Sequence, residues 1–182
     1  MPKIIENLKE TIILESRNLL SQKGYNDFNV REIAKKCNIA LGTFYNYFPT
    51  KDEVVMEIVR EDWWEISNLV DQLMTTDEPF KEKIRKIYLS LRQFISSYIL
   101  IFIEMAAIKK PSNRISCDHE SPDKFYLLYN KLSELIDIER TKGHINSSLS
   151  SYKLAQFIMS NLIYLNRNEY ITFDELYNHL KI

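Results

Sequence analysis

Between Asn29 and Lys51 the run NVREIAKKCNIALGTFYNYFPTK gathers side chains suited to a polyanionic partner with hydrogen-bonding edges. Arg31, Lys35, Lys36 and Lys51 face a single acid there, Glu32, so the segment is locally cationic. Thr43, Tyr45 and Tyr47 contribute hydroxyls at alternate positions, and Asn46 contributes an amide. Tyrosine hydroxyls and ammonium groups meet phosphate oxygens, which fixes register, whereas Thr addresses base edges and the thymine methyl. Gly42 inside a helix costs roughly 1 kcal/mol relative to Ala. Close approach of bare backbone to a groove or phosphate offsets that cost; a loose helix start is the plainer reading.

Phe44, Tyr45, Tyr47 and Phe48 place four aromatics within five positions. An aromatic stripe usually belongs to a core, but these four surround a helix and cannot all be buried in a small head. Phe44 and Phe48 are expected to pack on Ile33 and the first helix. Leu41, Gly42, Thr43, Tyr45, Asn46 and Tyr47 are then left toward a groove or its edge, and exposed aromatics require a partner. Lys51, in the first turn of the following helix, is expected to reach a phosphate with help from the helix dipole.

The elements that must hold these residues are helical. Ile4, Ile5, Leu8, Ile12, Leu19 and Leu20 recur at helical spacing, so residues 3–23 form a first helix that Gly24 stops. Asn29 with Glu32 forms a capping box for a second helix with Val30, Ile33, Ala34 and Cys37 inward, and Asn38 ends it. A third helix runs from Ala40 or Leu41 to Phe48 and is closed by Pro49. Two short helices around a tight turn form a helix-turn-helix, whose second member lies in the DNA major groove. Thr50-Lys51-Asp52-Glu53 then opens a long connecting helix over residues 51–75.

The segment from about Ile12 to Val59 resembles the tetracycline-repressor-like (TetR) family. The resemblance is carried by Gly24-Tyr25, Val30-Arg31-Glu32-Ile33-Ala34, Gly42-Thr43-Phe44-Tyr45-Asn46-Tyr47-Phe48 and Lys51-Asp52-Glu53. Cys37-Asn38 and Ala40 depart from the small turn residues and the Ser that the family favours there. The resemblance implies an all-α protein of about nine helices: a three-helix DNA-binding head at 1–50 and a ligand-sensing and dimerisation domain at 51–182. It implies a homodimer on a palindromic double-stranded operator, most often a repressor, answering to a small-molecule effector. A ligand-activated activator and a regulator-like adaptor are the alternatives. Arg31 stands at the family position that reaches a base edge.

Among the remaining residues, Trp63, Tyr98, Phe102, Glu104 and Tyr126 are the candidate ligand contacts, although helical cores have the same aromatic composition. Glu104 sits in an apolar run, where an unpaired carboxylate is costly to bury. It binds a ligand, pairs with Arg92 or Lys109, or points outward. Leu154, Phe157, Ile158, Asn161, Leu162 and Leu165, with Leu176 on the last helix, form apolar faces expected at a four-helix dimer interface, or else inside the subunit.

Composition narrows the classes. The 182 residues are 45% hydrophobic and 27% charged with a net charge of −1, which does not suit a strong non-specific nucleic-acid binder. Residues 1–60 hold nine Lys+Arg and eight Asp+Glu, so any basic patch is local and is doubled by dimerisation. Two cysteines are too few for a disulfide scaffold. Cys117-Asp118-His119-Glu120 is an isolated metal- or nucleophile-like cluster, and no catalytic site, metal or cofactor is expected. The charged N-terminus and the short apolar run from Phe94 to Ile108 give no signal peptide or membrane span, so a cytoplasmic, nucleoid-associated bacterial protein is expected.

Overall fold

The computed structural model describes residues 7–108, 122–168 and 170–180, which hold eight helices and no strand. They are α1 (Leu8–Lys23), α2 (Val30–Lys36), α3 (Leu41–Tyr47), α4 (Lys51–Met74), α5 (Phe80–Ile108), α6 (Pro122–Thr141), α7 (Ser151–Arg167) and α8 (Phe173–Leu180). The expected nine become eight because the fifth and sixth are one continuous α5. No Gly or Pro interrupts residues 80–108, and Ser96-Ser97 alone does not stop a helix. The Cys117–Glu120 cluster lies outside the described residues.

The described chain divides into two compact units. Residues up to Asp62, with those of α5 from Tyr98 on, form the first; Trp63–Ser97 and the residues from α6 onward form the second. In the first unit Ile12, Ile13, Ser16, Leu19 and Leu20 line the buried side of α1 at helical spacing. Gly24 ends α1 at φ 71°, a left-handed conformation that favours glycine, and its N–H closes on the Leu20 carbonyl at 2.9 Å. Asn29 caps α2 through the Arg31 N–H at 2.9 Å, while Glu32 pairs instead with Lys23 at 2.7 Å. Asn38, at φ 53°, makes the left-handed turn after α2. Thr50 caps α4 through the Glu53 N–H.

The second unit is built around Ile66, Val70, Ile84, Ile87, Leu132 and Leu135, sealed by residues of α7. Leu154, Ile158, Leu162 and Leu165 are buried in this core, within the subunit. Their side chains are taken up within one subunit. The apolar stripe of α7 is taken up by packing along α6, and Leu176 packs against the same core. Of the expected interface set, Phe157 alone is strongly exposed, at 46%; Asn161 is half-buried and its amide donates back to the Phe157 carbonyl. By length and composition α5 is apolar enough over Phe80–Ala107 to cross a bilayer. Its Phe80, Ile84, Ile87 and Leu91 are buried among protein side chains, whereas Leu89, Leu100 and Ile103 of the same helix are exposed.

Candidate nucleic-acid interface

α3 is anchored by the side chains it turns inward. Phe44 is fully buried and Phe48 nearly so, their rings 5.9 Å apart; Ile33, Ala34 and Cys37 are buried as well, and α2 packs on α3. Full burial of a Phe side chain contributes about 1.5–3 kcal/mol, enough to hold a two-turn helix that could not persist alone. Once Phe44 and Phe48 are inside, the 100° step per residue forces their neighbours out. Tyr45 and Tyr47 are 43% and 44% exposed, Gly42 and Asn46 are exposed, and Leu41 and Thr43 are half-buried. The Tyr45 ring stands edge-on to Phe44 at 5.6 Å, which restricts where its hydroxyl can point.

A Cβ built on Gly42 would meet no atom within 4 Å. Packing within the described chain therefore does not require glycine there. Arg31 and Lys35 are exposed on α2, and Lys36 reaches Glu15 at 3.7 Å. An open cleft of about 450 Å³ lies between residues 26–31, Tyr45 and Lys51, beside this surface.

Lys51 makes contacts within the chain that its place in the sequence does not show. Its ammonium donates to the Tyr25 carbonyl at 2.5 Å and lies over the Tyr25 ring at 4.0 Å and the Phe28 ring at 5.8 Å. Burial lowers its pKa, opposed by Asp52, Glu104 and Asp27. The side chain is thus held by the turn after α1, at the edge of the open cleft that Arg31 and Tyr45 also line.

Glu104 also has a use different from the three envisaged. Its Oε2 accepts the backbone N–H of Tyr25 at 2.9 Å and of Asn26 at 3.1 Å. Tyr98 donates its hydroxyl to Asp62, which also accepts from Arg17. Burial and the Asp62 carboxylate together push the Tyr98 pKa up. Both polar groups thus belong to the architecture of the first unit, where Phe102 lies 6.5 Å from the Tyr98 ring. In the second unit Trp63 packs edge-on to Phe94 at 5.2 Å, and Tyr126 is exposed near Tyr152. Tyr25, which the sequence offers only as part of the Gly24-Tyr25 pair, is held at three points. Its hydroxyl donates to Asp52, and its N–H and carbonyl are held by Glu104 and Lys51. The Gly24-Tyr25 pair marked the turn, but nothing in the sequence marks a partner 79 positions away.

A short capped helix, a left-handed turn at Asn38 and a second short helix with an exposed hydroxyl-bearing face define a helix-turn-helix DNA-binding head. Residues 12–58 match the family model described as bacterial regulatory proteins, tetR family. An uncharacterised HTH-type transcriptional regulator of Bacillus subtilis, YuxN, is 46% identical over 52 residues, 28% of this chain and 18% of that protein. Across the curated relatives reported by such matches, the aligned parts span 18% to 56% of the relatives' lengths. Among solved structures, a TetR/AcrR-family regulator from Thermobifida fusca superposes with a TM-score of 0.66 at 15% identity, over 97% of this chain and 95% of that one. FadR from Bacillus subtilis, solved with stearoyl-CoA, gives 0.60 at 16% identity over 94% of each chain. The head thus matches the tetR-family model over residues 12–58, and the chain shares the all-helical fold of solved TetR/AcrR-family regulators.

Proposed function

We propose that this chain regulates transcription in the bacterial cytoplasm as a homodimer, laying α3 of each protomer into the major groove of a two-fold-related operator. The observation that carries this reading is the division of α3 into a sealed face, Phe44 and Phe48, and an exposed one bearing Tyr45, Asn46 and Tyr47. Arg31 addresses a base edge, and Thr43 a base or its methyl. Tyr45 and Tyr47 meet phosphates, with Leu41, Gly42 and Asn46 against the groove. Two heads place half-sites about one helical turn apart, ~34 Å, or a multiple of it.

The pairing surface is the outer face of α7. Phe157 and Tyr164 are two turns apart on one side of the helix, 46% and 58% exposed, with Asn161 between them. A second copy covers that face by two-fold symmetry. Repression is the mode of action, and an effector bound to the second unit shifts the population of DNA-competent dimers. A long-chain acyl-CoA, the ligand class named for one solved relative, is the first effector to titrate against the DNA complex.

The test is a mobility-shift titration on duplex selected by the wild-type chain from a random pool. Tyr45→Ala weakens binding to every sequence, whereas Arg31→Ala relaxes preference at one position per half-site. Equal, sequence-preserving binding by both variants would refute the assignment.

A further inference from the structure

Glu104 stands on α5, far beyond the segment at residues 12–58 that matches the family's DNA-binding region, yet its carboxylate is built into the head. It accepts two consecutive backbone N–H groups, those of Tyr25 and Asn26, from one oxygen. Tyr25 follows Gly24, the residue whose positive φ turns the chain out of α1. The same tyrosine is held from the other side by α4: Lys51 donates to its carbonyl, and its hydroxyl donates to Asp52. The turn is thus clamped between the first turn of α4 and the last part of α5. Asn29, which caps α2, comes only four residues after Tyr25, so the clamp sets where α2 starts. α2 carries Arg31, its Ile33 and Ala34 are buried, and it packs on α3. A second tie lies further up α1, where Arg17 donates to Asp62 and to Glu61 at 3.0 Å, and Tyr98 of α5 donates to the same Asp62.

We infer that Glu104 is a positioning residue of the DNA-reading head: by fixing the α1–α2 turn to α5 it sets the orientation in which α2 and α3 meet the duplex. Charge-assisted bonds from one carboxylate to adjacent amides restrain both distance and direction, which a packing contact does not. A displacement of the last part of α5 is therefore delivered to the α1–α2 turn directly, in parallel with any movement of α4. The inference rests on the DNA-binding function proposed above.

The full-length chain and its Glu104→Ala, Glu104→Gln and Glu104→Asp variants are compared on duplex selected by the wild type, with amide hydrogen exchange at Tyr25 and Asn26 followed in parallel. Gln keeps an acceptor oxygen at the same reach without the charge; Asp keeps the charge and withdraws it by one methylene. Ala and Asp are expected to weaken binding at least roughly tenfold and to speed exchange at both amides, while Gln retains most of the affinity. The slope of affinity against salt stays at its wild-type value throughout, because no cation–phosphate contact is removed. Wild-type affinity in Glu104→Ala, or a Gln variant as weak as Ala beside an intact Asp variant, would overturn the inference. A wild-type chain that selects no duplex would bring down the proposed function and this inference with it. Selective wild-type binding matched by Glu104→Ala would bring down the inference alone.

Discussion

Replacing Lys83 by Met would strand a carboxylate in the core of the second unit. Lys83 is 0% exposed and Glu139 1%, with the ammonium 2.8 Å from Glu139 Oε1 and 2.7 Å from the Thr76 carbonyl. This one cation joins α5 to α6 and to the connection that follows α4. Removing one member of a buried ion pair costs about 3–5 kcal/mol, because the remaining charge keeps its desolvation penalty without its partner. Glu139 would keep His144 at 2.7 Å and Lys142 at 3.6 Å, both partly exposed, so the lower end applies, about 3 kcal/mol. That is a large fraction of the ~5–15 kcal/mol available to an ordinary domain. Urea denaturation followed by circular dichroism should show the midpoint falling with little change in slope. The double variant Lys83→Met with Glu139→Leu should recover much of the loss, since neither charge is then buried. A single variant within about 1 kcal/mol of wild type, or a double variant as unstable as the sum of its singles, would refute the reasoning.

Three further outcomes follow from the same geometry. Phe157→Glu combined with Tyr164→Glu should yield folded monomers in sedimentation, whereas Leu162→Glu should unfold the second unit; a persistent dimer in the first variant would place the interface elsewhere. Burial would raise the Glu139 carboxyl, but hydrogen bonds from Lys83 and His144 outweigh it and hold the pKa below the ordinary 4.5. Its contribution to stability is therefore complete above pH 4.5 and is lost as the pH falls through the lower native value, a dependence that Glu139→Gln should flatten in denaturation series across acid pH. Lys51→Met should lower stability by loosening the Tyr25 turn while leaving the salt slope of DNA binding unchanged, in contrast to Lys35→Ala, which removes one cation from each of two heads and should reduce the slope by about two.

The head was legible in the sequence because its signals are local. Gly24, Asn29, Asn38 and Thr50 each stop or cap a helix through atoms within a few residues, and the crowding of Phe44, Tyr45, Tyr47 and Phe48 forces a division into inner and outer faces. The rest depended on long-range pairing. The apolar stripe Leu154–Ile158–Leu162–Leu165 has the same spacing whether it meets a second copy or its own subunit, and only the packing of α7 along α6 decides it. Glu104 looked like an uncompensated charge because its partners are main-chain amides far away in sequence, which no side-chain pattern encodes. Lys51 had the expected position but not the expected direction: the Tyr25 carbonyl and ring compete for the ammonium.

The most direct test of the central claim is a fluorescence anisotropy titration of the wild-type chain on pool-selected and unrelated duplexes across a salt series. Two heads that each offer Lys35 and Lys36 to phosphates, with Arg31 on a base edge, neutralise about four phosphates, which predicts a log–log salt slope of about −3.6. The account predicts that slope together with a preference of at least ~10³-fold for the selected, two-fold-related sequence. Equal affinity for both duplexes at every salt concentration would contradict it.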